Sequence, residues 1–107
     1  MPEKEAMWFA SPDVRATYSE DGAVLLDINK GLCYSLNPVA ARIWVTIETS
    51  PGGVTLNGIV GVLETHVQIP RQQLEKETTD YLEKLREIGL AHQNGHGMAS
   101  KAGTGRQ

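Results

Sequence analysis

The chain has 107 residues, of which 40% are hydrophobic and 21% charged, and ten Lys and Arg stand against thirteen Asp and Glu for a formal charge of −3. This is the size of one small globular domain, with a core too modest for a deep catalytic pocket. Net negative charge also counts against duplex binding, where affinity comes from neutralising phosphates.

Residues 1–13 are expected to be a flexible N-terminal segment, and patterned sequence begins at Val14. Val14-Arg15-Ala16-Thr17-Tyr18 reads as a strand, and Asp21-Gly22 supplies a tight turn. Ala23 to Ile28 follows as a second strand, with Val24, Leu26 and Ile28 on one face and Leu25 on the other. Asn29-Lys30-Gly31 forms the next turn, with Gly31 suited to a positive φ. Leu32-Cys33-Tyr34-Ser35-Leu36 then alternates as a third strand. Connections this short predict an antiparallel meander.

Three helices follow. Asn37 is a favoured N-cap and Pro38 suits the first helical position, so Val39, Ile43, Trp44 and Ile47 define an amphipathic helix ending at Glu48. Ser50-Pro51-Gly52-Gly53 separates it from a second helix, capped by Thr55 and striped by Leu56, Ile59, Val60 and Leu63. Gly58 and Gly61 weaken that helix and are expected to admit the close approach of another backbone. Pro70 opens the third helix, which carries Leu74, Thr78, Tyr81, Leu82, Leu85 and Ile88 on one side and stops at Gly89. Residues 91–107 read as a disordered Gly-rich tail. The expected fold is α+β, a domain over 14–90 of order β-β-β-α-α-α. It is winged helix-turn-helix-like, with a three-stranded antiparallel sheet placed first in the chain.

Asp21-Gly22-Ala23-Val24-Leu25-Leu26-Asp27, then Gly31 through Tyr34-Ser35-Leu36-Asn37, then Ala41-Arg42-Ile43-Trp44 resembles the opening half of PqqD-like proteins. Pro70, followed by Tyr81-Leu82-Glu83-Lys84-Leu85 and Ile88-Gly89-Leu90, resembles the closing half. The resemblance implies a recognition element for the precursors of ribosomally made, modified peptides, closest in look to the free-standing recognition proteins of lasso-peptide biosynthesis. It implies a non-catalytic protein that binds a leader peptide by strand addition to the third strand, beside the third helix. It also implies partnership with a separate leader peptidase and cyclase, or another modifying enzyme. A peptide chaperone of pyrroloquinoline quinone biosynthesis is the alternative within the family.

Physical reasoning reaches part of this independently. A three-stranded sheet has two edges with unpaired backbone groups, and no proline or inward charge blocks Leu32 to Leu36. Main-chain hydrogen bonds would give affinity and pockets for alternate side chains selectivity. In the implied groove, Leu32, Tyr34, Thr78, Tyr81, Leu82 and Leu85 are the expected lining, with Cys33, Ser35 and Leu36 contributing backbone. The plainer reading is that the helical stripe and Trp44 are core, and Cys33 an inert thiol.

Rival functions fare worse. As a DNA-recognition helix, Pro70 to Ile88 would offer Arg71, Lys76, Lys84 and Arg86 against five acids, a poor surface for phosphates. The acids are scattered along a helix rather than paired for general acid–base work, and no nucleophile–base pair is apparent. Lone Cys33 excludes an internal disulfide, and His66, His92 and His96 make no persuasive metal site. No cofactor, metal, nucleic acid or membrane partner is expected. An exposed edge strand leaves a homodimer open. Met1-Pro2-Glu3-Lys4-Glu5 is not followed by the apolar run of a signal peptide, and no stretch approaches the roughly 18 apolar residues of a membrane span, so a cytoplasmic protein is expected. Met7-Trp8-Phe9 reads either as a hydrophobic segment folded back on the domain, or as a contact for a partner enzyme or a plug of the peptide groove.

Overall fold

The computed structural model describes residues 6–94. In chain order the elements are β1 (Met7–Ala10), β2 (Val14–Ser19), β3 (Gly22–Asp27), β4 (Leu32–Leu36), α1 (Pro38–Glu48), α2 (Leu56–Glu64), α3 (Arg71–Glu87) and β5 (Ala91–Asn94). The fold is α+β: an antiparallel β2-β3-β4 sheet, three helices, and a two-stranded β1-β5 sheet.

The meander forms where the turn residues place it. Across its two turns Ser19 pairs with Gly22, and Asp27 with Leu32. Gly31 adopts φ +70°, and its N–H donates to the Asp27 carbonyl at 2.7 Å. Gly22 adopts φ +135°, and a Cβ there would lie 1.8 Å from the Leu36 carbonyl oxygen. Only glycine lets the start of β3 pass the end of β4 so closely. Alternation along β3 buries Ala23, Leu25 and Asp27 and leaves Val24, Leu26 and Ile28 exposed. The larger apolar set thus faces outward. The inner set, with small Gly22 and Ala23, lies where α1 crosses the sheet.

The helices begin and end on their capping residues. Asn37 Oδ1 accepts the Ala40 N–H at 2.8 Å, and Thr55 Oγ1 accepts that of Gly58 at 3.0 Å. Helix α3 starts after Pro70 and is followed by Gly89 at φ +83°. Ile43, Trp44 and Ile47 of α1, Ile59, Val60 and Leu63 of α2, and Leu74, Leu82 and Leu85 of α3 form a single core with Leu25 and Leu90. Helix α1 joins the β2-β3-β4 sheet to this core, whereas α3 packs mainly on α2 and β5.

Two expectations are corrected. Met7–Ala10 and Ala91–Asn94 are not loose ends: they pair antiparallel, Ala10 opposite Ala91 and Met7 opposite Asn94. Trp8 supplies the reason, since its side chain is only 4% exposed and its backbone exchanges hydrogen bonds with Val54 at 2.8 and 3.1 Å. Phe9 adds a stack on His92, with ring centroids 5.2 Å apart. Residues 1–5 and 95–107, His96 among them, lie outside the described residues. The second correction concerns α2. A Cβ at Gly61 would meet nothing within 4 Å, and one at Gly58 would meet only the neighbouring Val54 and Thr55 side chains. Neither glycine admits another backbone.

Candidate peptide-binding site

Among the described residues β4 pairs only with β3, so its outer edge presents a row of free backbone N–H and C=O groups. Because α1 rather than α3 carries the sheet, β4 and α3 stand apart, and a cleft of about 400 Å³ opens between them. Cys33, Tyr34, Ser35 and Leu36 form its strand wall, Tyr81, Lys84, Leu85 and Ile88 its helix wall, and Leu90 completes it. The wall follows from local periodicity: Tyr81, Lys84, Leu85 and Ile88 recur at the three- and four-residue spacings that align side chains on one helix face.

The floor is dry and the rims are amphipathic. Leu36, Leu85 and Leu90 are buried, while Tyr34 and Tyr81 are half-buried. Burial pushes the Tyr81 phenol up to about 12, so the ring stays neutral and keeps its hydroxyl as donor and acceptor at ordinary pH. Tyr34 lies opposite Leu25 on the inner face of the sheet. Cys33 and Ser35 alternate to the outer face and meet the cleft through their place on the strand edge.

The structure therefore brings together Cys33, Tyr34, Ser35, Leu36, Tyr81 and Leu85 of the expected residues. Three do not line this cleft. Leu32 sits 48% exposed at the start of β4, opposite Asp27. Thr78 is fully buried in the core, and its hydroxyl has no hydrogen-bond partner among the described residues. Leu82 is core as well, and borders a different cleft of about 380 Å³ beside Trp8, Leu56 and Gln93. Leu82 is carried off the cleft by helical phase, about 100° from Tyr81, whereas Thr78 shares the phase of Leu85 but lies seven residues, about 10 Å, nearer the start of the helix, short of the cleft. Lys84, Ile88 and Leu90 were missed, although Lys84 falls three residues after Tyr81 and four before Ile88, which is signal enough.

A third cleft of about 380 Å³ lies at the other sheet edge, between the β2–β3 turn and α1. Volume alone does not separate these sites. The β4 cleft follows a strand from Cys33 to Leu36, whereas the one beside β2 reaches only Tyr18 and Ser19 of that strand. Tyr18 is moreover engaged, donating its hydroxyl proton to Glu48 Oε1 at 2.5 Å. A free strand edge beside an amphipathic groove can accept an extended peptide as one more strand, its alternate side chains entering the groove. Met7, Trp8 and Phe9 do not line the β4 cleft; they belong to the β1-β5 sheet and the core.

An open-edged sheet with a helix-walled groove defines a class of small peptide-docking domain. The particular family is given by sequence: residues 22–91 match the family described as Coenzyme PQQ synthesis protein D (PqqD), and the chain belongs to that family. The match runs from β3 through α3 to the first residue of β5, so it contains both walls of the cleft. Among solved structures the chain is similar to TbiB1 in complex with the TbiA(beta) leader peptide. That likeness has a TM-score of 0.69 at 25% identity, covering 78% of this chain and 94% of that one. It is also similar in fold to a lasso peptide synthetase B1 complexed with the leader peptide, with a TM-score of 0.67 at 22% identity, covering 80% and 98% of the respective chains. No curated protein gives a significant match.

Proposed function

We propose that this protein is a non-catalytic leader-peptide-binding protein. It captures a ribosomally made precursor as an added strand on β4 and presents it to separate enzymes, a leader peptidase and a cyclase, in lasso-peptide or related biosynthesis. The observation that carries this reading is the free β4 edge lying along the Tyr34–Tyr81–Leu85 cleft, together with the likeness to two chains described with leader peptides bound. The site residues in this reading are Cys33, Tyr34, Ser35 and Leu36 on the strand, and Tyr81, Lys84, Leu85 and Ile88 on the helix. The three-stranded sheet is read as the wing of a winged helix-turn-helix-like domain, with α2 and α3 as its helix pair. Partner enzymes and precursor share one compartment in this scheme, the cytoplasm where the precursor is made. No helix of the described residues is long and apolar enough to cross a membrane.

Magnitudes agree with a carrier role. Two or three apolar side chains buried in the cleft contribute roughly 1.5–3 kcal/mol each. Ordering a flexible peptide costs about 2–5 kcal/mol of that gain. The balance, with added main-chain hydrogen bonds, is binding tight enough to capture and loose enough to release.

Duplex binding through α3 is disfavoured by its charge pairing. Arg71 is held by Glu64 at 2.7 Å and Glu75 at 3.0 Å, Lys76 by Asp80 at 3.0 Å, and Arg86 by Glu83. Cations so engaged release few counterions on meeting phosphate.

Isothermal titration with a synthetic leader, made from the precursor gene nearest this one, tests the proposal. Saturable binding is expected without any enzyme present, and it should fall at least tenfold in Tyr34→Asp, titrated below the temperature at which that variant begins to melt. Absence of heat and of competition for a labelled leader overturns the reading. Because the family is described by coenzyme PQQ synthesis, a pyrroloquinoline quinone precursor peptide belongs in the same titration, and preferential binding of that peptide would assign the protein to the second pathway.

A further inference from the structure

Among the cations of α3 one stands apart from the rest. Three of its four cations are tied to carboxylates, as described above. Lys84 makes no ion pair among the described residues, is exposed, and is the single charged side chain lining the β4–α3 cleft. A second cation stands at the Ile88 end of the wall: Lys30, from the β3–β4 turn, donates to the Ile88 carbonyl at 3.4 Å.

No carboxylate lines the cleft to offset them. Glu77 lies on the same side of α3, but seven residues before Lys84, about 10 Å along the axis. It accepts a hydrogen bond from Gln73 at 2.9 Å. Asp80 and Glu83 are engaged by Lys76 and Arg86, and Glu87, exposed three residues after Lys84, does not line the cleft. Asp27, nearest in sequence to Lys30, is buried and accepts the Lys30 backbone N–H at 3.2 Å. An apolar groove whose one charged wall residue is an unpaired cation complements a ligand of the opposite charge.

We propose that the peptide received on β4 carries an acidic side chain beside its apolar anchors, and that Lys84 reads it as a specificity-determining contact, with Lys30 adding to the positive field from the Ile88 end. The proposal rests on the leader-binding reading and narrows its substrate class to acidic leaders. A carboxylate at this place forms a charge-assisted hydrogen bond against a partly desolvated wall, where the interaction is stronger than between two fully hydrated groups. It also sets direction. With Lys84 midway along the helix wall, Lys30 past its Ile88 end and Glu77 beyond its Tyr81 end, an acid displaced toward the Tyr81 end meets like charge instead of opposite charge.

The test uses the full chain and the synthetic leader of the nearest precursor gene, titrated against the parent protein, Lys84→Gln, Lys84→Glu and Tyr34→Asp. Each acidic residue of the peptide is replaced in turn by lysine. Lys84→Glu is expected to raise Kd about tenfold, Lys84→Gln by less, and the parent's affinity should fall as salt rises. One lysine-substituted peptide should bind Lys84→Glu better than it binds the parent, a reciprocal rescue that a misfolded variant cannot produce. Equal affinity of parent and Lys84→Glu for every peptide overturns the proposal. If Tyr34→Asp abolishes binding while Lys84→Glu does not, the leader reading stands and the charge reading falls. If no peptide binds the parent, both fall.

Discussion

At the scale of single residues, Thr78 and Tyr81 show how three positions along a helix separate a core role from a site role. Thr78 is fully buried with an unpartnered hydroxyl, a group whose burial costs about 1–3 kcal/mol. Thr78→Val keeps the shape and removes that cost. It is expected to stabilise the fold by about 1 kcal/mol, read as a higher denaturant midpoint, with leader affinity unchanged. A loss of affinity in Thr78→Val would return this residue to the binding groove. Tyr81, half-buried, is the opposite case: it packs against the core and also lines the β4–α3 cleft. The apolar stripe holding both residues was readable as periodicity. Which members faced the sheet and which faced α2 was not, because a stripe wide enough to bury a helix on two neighbours has no internal label for either.

At the scale of elements, caps and turns were the most legible features, since each depends on chemistry within a few residues. Asn37, Pro38, Thr55, Gly31 and Gly89 all act where their side chains or backbone freedom imply. The glycines of α2 are the exception, because low helix propensity says nothing of what packs against a residue. Gly61 faces open space, so Gly61→Ala is expected to stabilise the protein by up to about 1 kcal/mol through helix propensity alone. Gly22→Ala should do the reverse and prevent stable folding, since its Cβ would overlap the Leu36 carbonyl. Thermal melts of the two variants check both signs. The outward placement of Val24, Leu26 and Ile28 could not be chosen from alternation, which fixes that two faces differ but not which one α1 covers.

At the scale of the whole molecule, the β1-β5 sheet clamps the two ends of the described chain against the helices. Trp8 anchors it, reaching the core from β1 and bridging to Val54 in the loop before α2. Trp8→Ala is expected to cost about 3–5 kcal/mol of stability, measured by denaturant unfolding. Leader affinity at temperatures where the variant remains folded should not tighten. Tighter binding would mean that this segment competes for the β4 groove, as a plug would.

By itself the sequence determined the meander, the three helices with their limits, and the family resemblance, because these depend on contacts between near neighbours along the chain. Tertiary structure alone decided that Met7–Ala10 and Ala91–Asn94 pair, since two four-residue strands carry no local mark of a partner nearly a chain length away. It also decided that β4 and α3 leave a cleft between them, with Lys84 as its one charged wall residue. A cleft belongs to neither element: it exists because α1, not α3, takes up the sheet's inner face, leaving an edge strand and a helix face with open space between them.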